Sequence, residues 1–291
     1  MRHRQANPSG VGKRGLCLIL AMLILTPAPA AAKELKPKTI ATYDRYVTLT
    51  EARIAGELES GKPFLWFDRV PQAARDTMLA DLSQGKVLIE SLKTLEANGK
   101  EFKVSDGMIH HWAGLVHVPG VTLQQVLALV QDYDSHGVVY KPDVVRSKTV
   151  QHDGDAYKIF YRFYKHKVIG VTLNTDHDVF YQNFSEKRVI SRSYTTRIAE
   201  VENPGKKEEK EKPVGNDGGF MWRLHTWWRI EERDGGVYVQ CETVSLSRDI
   251  PFGFGWIIGP FVKSVPKESL QFTLGTTRAA LLAPQASATR Q

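Results

Sequence analysis

Met108-Ile-His-His-Trp-Ala-Gly-Leu-Val-His-Val118, then Pro119-Gly120, then Thr122-Leu-Gln-Gln-Val-Leu-Ala-Leu-Val130 is the stretch from which the fold can be read. Its first part is bulky and apolar without a helical period, which suits a strand, and the Pro-Gly pair stops it. Thr122-x-x-Gln125 is a capping box: the hydroxyl caps the third amide while the Gln side chain reaches back to the first. Leu123, Val126, Leu127, Val130 and Tyr133 then put one apolar face on the helix that follows.

Towards the C-terminus the pattern becomes a series of strands. Residues 143–151 lead through His152-Asp-Gly-Asp155, a hairpin signal, into 156–168. Residues 171–184 turn at Ser185-Glu-Lys187 into 188–202, and 219–232 turn at Arg233-Asp-Gly-Gly236 into 237–248. Between the last two pairs, residues 203–218 carry Lys-Lys-Glu-Glu-Lys-Glu-Lys. Their near-balanced charge predicts a solvated loop that a short turn can replace. A helical stretch over 254–282, interrupted at Pro266, closes the chain. Seven antiparallel strands must bury one face, and that helix is the large partner available.

Towards the N-terminus, Ile40, Tyr43, Val47, Ile54 and Leu58 recur at helical spacing and predict a helix ending at Gly61. Residues 71–83 read as a second helix opened by Pro71, Phe64-Leu-Trp-Phe67 as a compact apolar run, and 86–96 weakly as strand. This block, 33–105, is expected to cap or buttress the main domain at 106–284, with a short tail at 285–291. The first 32 residues differ again. Arg2, Arg4, Lys13 and Arg14 precede an apolar run from Leu16 to Leu25 and an Ala-rich exit, the pattern of a secretory signal peptide. Ten apolar residues are too few to span a bilayer, so the expected product is exported, periplasmic or secreted. The chain carries 39 Lys and Arg against 32 Asp and Glu, a net +7 in 291 residues. Four of those cations leave with the signal peptide, so nucleic acid is not the expected partner. Of the two cysteines, Cys17 lies in the apolar run and Cys241 is left alone, expected to be buried and inert.

The element order and three segments resemble the START-like helix-grip superfamily, also called the SRPBCC or polyketide-cyclase and lipid-transport superfamily. The segments are His117-Val-Pro-Gly-Val-Thr-Leu-Gln-Gln-Val-Leu127 with Asp132-Tyr133, Tyr140-Lys-Pro-Asp-Val-Val-Arg-Ser147, and Ser245-Leu-Ser-Arg-Asp-Ile-Pro251 before the final helix. The resemblance covers about 107–283 and implies an α+β fold. In it a curved seven-stranded antiparallel sheet wraps a long C-terminal helix, here with an N-terminal, mainly helical extension. It also implies a hydrophobic tunnel for a lipid, sterol or polyketide-like molecule. The superfamily includes carriers, cyclases and hydrolases, so fold does not settle activity.

A period of two assigns strand faces. Tyr157, Ile159, Tyr161 and Phe163 share one side of their strand, and Leu173, His177 and Tyr181 one side of the next. Trp222, Thr226 and Trp228 share one side of a third; these sets are expected to line the cavity. Arg192 and Tyr194 share a face with Ile190 and Ile198. If the isoleucines point inward, Arg192 does too; an unpaired guanidinium there is untenable, so it needs a carboxylate, for which Glu242 is one candidate, or an anionic ligand head group. Some lipid-carrying members of the superfamily place such an acid–base pair in the tunnel. The uncharged run of bulky and Gly/Pro residues from 250 to 262 supplies candidate gate residues Phe252, Phe254, Trp256 and Ile257, or a membrane-touching loop.

HExxH, phosphate-binding Gly-rich loops and G-x-S-x-G are absent, and no metal or cofactor is expected. No catalytic residue is assigned. The expected partner is a lipid or other hydrophobic small molecule, with transient membrane contact and a monomeric state. The alternatives are a cyclase or hydrolase using a Tyr, His177 or Arg192, and an interaction module that docks through its apolar loop.

Overall fold

The computed structural model describes residues 33–59, 62–167, 169–249 and 255–283, with the backbone alone at 33 and 255–263. The first 32 residues, the tail and the candidate gate residues Phe252 and Phe254 lie outside these residues, and Trp256 and Ile257 fall where only the backbone is described.

In chain order the elements are β1 (Lys33–Glu34), α1 (Pro37–Glu57), α2 (Gln72–Ser83), β2 (Leu88–Ser91), β3 (Gly107–Pro119), α3 (Leu123–Val130) and α4 (His136–Val139). They continue with β4 (Val144–Asp153), β5 (Ala156–His166), β6 (Gly170–Ser185), β7 (Arg188–Glu202), β8 (Lys210–Glu211) and β9 (Asn216–Asp217). The last are β10 (Arg223–Arg233), β11 (Gly236–Arg248) and α5 (Gly255–Leu282). Local chemistry explains several boundaries. Both bonds of the capping box at Thr122 and Gln125 form, starting α3 where the sequence predicts. Asp234 and Gly235 both take positive φ, 55° and 73°, the twist a two-residue hairpin turn needs between β10 and β11. α5 continues through Pro266 rather than breaking there. The donor a proline removes is one bond, and packing along the helix holds the remainder.

The seven expected strands form the sheet in the order β3-β11-β10-β7-β6-β5-β4, all antiparallel, with the short β2 added beside β3 and β8 beside β7. Bulges bend it. Val145 and Val150 are extra residues on β4, Phe184 on β6, and Thr196 on β7. Each adds local twist, and the two on β4 disrupt an edge that would otherwise invite pairing.

On one face lies α5, packed against β3 and more lightly against β11, β2, α3 and α4. The approach is close at Gly114, where a Cβ would stand 2.5 Å from Leu274 Cδ1 and 2.9 Å from Ile89 Cδ1. Leu270 and Leu274 join Val116, Val118, Val126, Ile230, Val239 and Cys241 in the main core. The opposite face is covered as well. Tyr43, Tyr46, Val47 and Ile54 of α1 pack on Trp222, Trp227, Val244 and Leu246. Phe64, Leu65, Phe67 and Leu82 pack on Leu115 and Tyr238. Strands β3 and β11 are therefore covered on both sides, with helices above and below.

The segment 203–218 is not the free loop its charges suggest. β8 pairs with the end of β7, and β9 pairs with β1. Glu209 takes a two-pronged bond from Arg162, both contacts 2.8 Å. Asp217 is buried and accepts from the Gly219 amide at 2.7 Å and from Trp222 Nε1 at 3.0 Å. Charge balance within a segment does not distinguish charges facing water from charges facing opposite charges on the sheet.

Candidate functional site

The face of the sheet turned towards α5 is built in cross-strand rows. Strand pairing sets Trp112, Thr243, Thr226, Ser193, Val179 and Tyr157 side by side. The next row reads Gly114, Cys241, Trp228, Ser191 and Tyr181. On the other side of the first row stand Ser245, Leu224, Thr195, His177 and Ile159, where Thr195 Oγ1 takes the Leu224 amide at 3.0 Å. Trp112, Trp228 and Tyr181 pack against the same core as Leu270 and Leu274, which fixes this as the gripped face.

Coverage by α5 is uneven. The helix lies over β2, β3 and β11, whereas β10, β7, β6 and β5 continue past it. Trp112, Thr243, Thr226, Ser193, Trp228, Leu224, Tyr161, Phe163 and Tyr181 all face the helix side yet remain only half-buried. Large aromatics that pointed into a filled core would be fully covered. Here they keep accessible surface on the face turned towards α5.

One end of this face is closed by a hydrogen-bonded aromatic cluster. Tyr133 and Tyr181 hydroxyls meet at 2.7 Å, Tyr161 meets His136 Nδ1 at 2.7 Å, and His136 Nε2 lies 3.2 Å from the Leu129 carbonyl. Tyr140 reaches Thr277 of α5 at 2.9 Å. His177 lies between Thr175 Oγ1 at 2.8 Å and Ser193 Oγ at 3.4 Å. Burial, with no carboxylate beside it, pushes His177 down to about 3. Burial also raises Tyr133, Tyr161 and Tyr181 and keeps the Cys241 thiol protonated. These groups are all neutral at physiological pH.

Of the residues expected at the cavity, Tyr157, Ile159, Tyr161, Phe163, Leu173, His177, Tyr181, Thr226 and Trp228 lie on the gripped side. Arg192, Tyr194, Trp222 and Glu242 do not, and each departure has a cause. The Thr196 bulge shifts the parity of β7, so Ile190 faces outward and Ile198 inward although they are an even number apart. Arg192 follows Ile190 outward, where it pairs with Glu51 of α1 at 2.7 Å and lies 5.3 Å from the Tyr194 ring centroid. Tyr194 stacks on His225. Trp222 precedes β10 and packs under α1. Glu242 is buried under α1, bonded to Arg53 and to His111 Nε2 at 2.8 Å. The expected Arg192–Glu242 pair is not formed. Residues missed include Trp112, Ser193, Thr243 and the Tyr133–His136–Tyr140 group. Strand alternation had put Ser193 opposite Arg192, and that alternation was the signal available.

The charged groups concentrate on the outer face. Glu57 of α1 accepts from Arg53 at 2.7 Å, Arg69 at 2.6 Å and the fully buried Arg229 at 2.6 Å. Two open depressions occur on that side, one along α1 by Arg45, Leu49 and Phe102, the other at the hairpin ends by Arg188, Glu231 and Arg233. Their charges already pair, Arg45 with Glu96 and Arg188 with Glu231, and both depressions are shallow. Among the described residues no group of three or more His, Cys, Asp or Glu is placed to hold a metal ion.

A curved antiparallel sheet holding a long C-terminal helix, entered by strand, helix and returning strands, is the helix-grip arrangement expected from the sequence. Three solved structures show the likeness. A STAR-related lipid transfer protein from Xanthomonas axonopodis is 15% identical, covers 66% of this chain and 98% of its own, and has a TM-score of 0.40. A START superfamily protein from Mycobacterium smegmatis is 10% identical over 59% of this chain and 97% of its own, TM-score 0.39. An aromatase/cyclase from a Streptomyces species is 10% identical over 60% of this chain and 94% of its own, TM-score 0.39. No family model matches the sequence, and no curated protein matches it.

Proposed function

We propose that this protein is an exported carrier that holds a lipid or other hydrophobic small molecule between the gripped face of the sheet and α5. The observation that supports it is the set of aromatic side chains that face the helix and remain half-buried, Trp112, Trp228, Tyr161 and Phe163 among them. A bound apolar ligand would complete their burial. Each methylene so covered contributes about 0.8 kcal/mol, so an acyl chain or ring system outweighs any single polar contact. Export rests on the cationic start, apolar run and Ala-rich exit of the first 32 residues. Among the described residues no helix is long and apolar enough to cross a membrane. The hydrolase or cyclase reading has less support, because a general base works best with a pKa near the working pH and burial holds His177 near 3.

Native mass spectrometry of the full chain purified after export tests both parts. The expected spectrum shows a polypeptide starting near Lys33 with a bound lipid mass. A clean ligand-free mass, together with no change in Trp fluorescence across a lipid panel, would overturn the carrier reading. An intact N-terminus on the exported protein would overturn signal-peptide cleavage.

A further inference from the structure

The strands carry many charges, but the central rows of the face turned to α5 hold none of them. On the three rows that face α5, none of the described side chains is Asp, Glu, Lys or Arg. The polar groups there are hydroxyls, with Thr243, Thr226 and Ser193 adjacent in one row and Ser245 and Thr195 in the next. His177 closes the band through Ser193. Thr226 and Thr243 are half-buried. Of the acids and cations on the same strands, Arg229, Glu231, Glu242 and Arg192 point to the opposite face and are paired there, while Glu200, beside Leu173 beyond these rows, is buried and paired with Lys212. At the rim, Lys165 pairs with Asp143 at 2.6 Å and Lys167 with Glu268 at 2.7 Å, while Lys267 is exposed, 6.0 Å from the Trp112 ring.

We propose that the ligand is electrically neutral along its enclosed length and carries a hydroxyl, carbonyl or ester oxygen that meets the Thr243–Thr226–Ser193 band. This rests on the carrier reading and narrows it to a class: neutral lipids, sterol-like alcohols and uncharged polycyclic molecules rather than fatty-acid carboxylates or phospholipid head groups. The reason is desolvation. A carboxylate or phosphate drawn over the band leaves water and finds no guanidinium or ammonium in return. A neutral oxygen needs one hydrogen bond, which a threonine or serine hydroxyl can give or accept. Because burial keeps His177 neutral, it too serves as a donor or acceptor without presenting a charge.

The test is displacement of the neutral dye Nile red from the full exported protein by ligands matched in chain length. Hexadecanol and monoacylglycerol should displace it at concentrations about tenfold or more below hexadecanoate and lysophosphatidate at pH 7.5. Hexadecanoate should close the gap at pH 5, where part of it is protonated. Equal or tighter binding of the two anions at pH 7.5 overturns the proposal while leaving the carrier reading standing. If neither the dye nor any lipid binds, the carrier reading itself fails, and this one with it. The near-isosteric Thr226→Val tests the band directly. It should weaken hexadecanol about fivefold and leave the dye unchanged. Unchanged hexadecanol affinity in Thr226→Val combined with Ser193→Ala would remove the hydroxyl row from recognition.

Discussion

Replacing Glu57 by Gln should cost about 3 kcal/mol of stability at neutral pH, a large share of what such a domain has. Burial alone would push this carboxyl up. Hydrogen bonds from Arg69 and Arg229, with the charge of Arg53, outweigh it and bring it down to about 2, against 4.5 for the free group. Two and a half pH units at 1.36 kcal/mol each give the figure, to order of magnitude. Glu57→Gln keeps the shape and one acceptor but removes the countercharge of Arg229, whose guanidinium is buried and otherwise holds the Phe64 carbonyl at 2.9 Å. Stranding a buried charge is the costly way to break a pair.

The assay is urea unfolding followed by Trp fluorescence. With a slope of roughly 2–3 kcal/mol per molar, the midpoint should fall by about 1 M at pH 7. The pH dependence carries the sign. A carboxyl whose folded pKa is depressed adds stability that is complete above 4.5 and disappears as pH falls through about 2. The parent and Glu57→Gln curves should therefore converge between pH 5 and 2. A midpoint shift under 0.3 M, or curves that stay parallel to pH 2.5, would refute the claim that Glu57 holds α1 to the sheet.

Two further outcomes follow from the geometry. His177 takes up no proton in the fold until about pH 3, against 6.5 when free, so its contribution is intact above 6.5 and erodes as pH falls. Between pH 7.5 and 5 the parent should lose about 2 kcal/mol from this group. His177→Gln should lose that much less in the same urea titration, and identical losses would show that His177 is protonated more easily than its surroundings indicate. Replacing residues 203–218 with a short turn should lower the melting temperature by roughly 6–12 °C. It deletes Asp217 from the Trp222 indole, Glu209 from Arg162 and β9 from β1, each about 1 kcal/mol. An unchanged melting temperature by scanning calorimetry would restore the free-loop reading.

The fold was legible because its punctuation is local. The capping box at Thr122, the Asp-Gly turn at 234–235 and the alternating strands depend on neighbours a few residues away, and they appear where the residues put them except that β10 starts at Arg223 rather than at Gly219. Strand faces were less legible, for two physical reasons. A bulge costs one residue and inverts parity: Thr196 alone carried Arg192 and Tyr194 from the expected inner face to the outer. Burial on both sides also erases the contrast that period-two reading needs. β11 is buried at nearly every position because α1 covers one face and α5 the other.

That second reason bears on function. Residues 33–105 supply the partners of the charges on the outer face: Arg53 and Tyr46 hold the Glu242–His111 pair, Glu57 holds Arg229, and Glu51 holds Arg192. Without α1 those groups would sit on an open sheet surface, and the strands' alternation would still have kept them off the α5 side. With α1 they are sequestered and rigid. Glu242 and Arg192, expected from sequence to pair with each other on the inner face, instead fasten the extension to the sheet. On the proposed carrier reading, the side left to a ligand holds Thr243, Thr226 and Ser193, and selection there would work through hydrogen bonds between neutral groups rather than through charge.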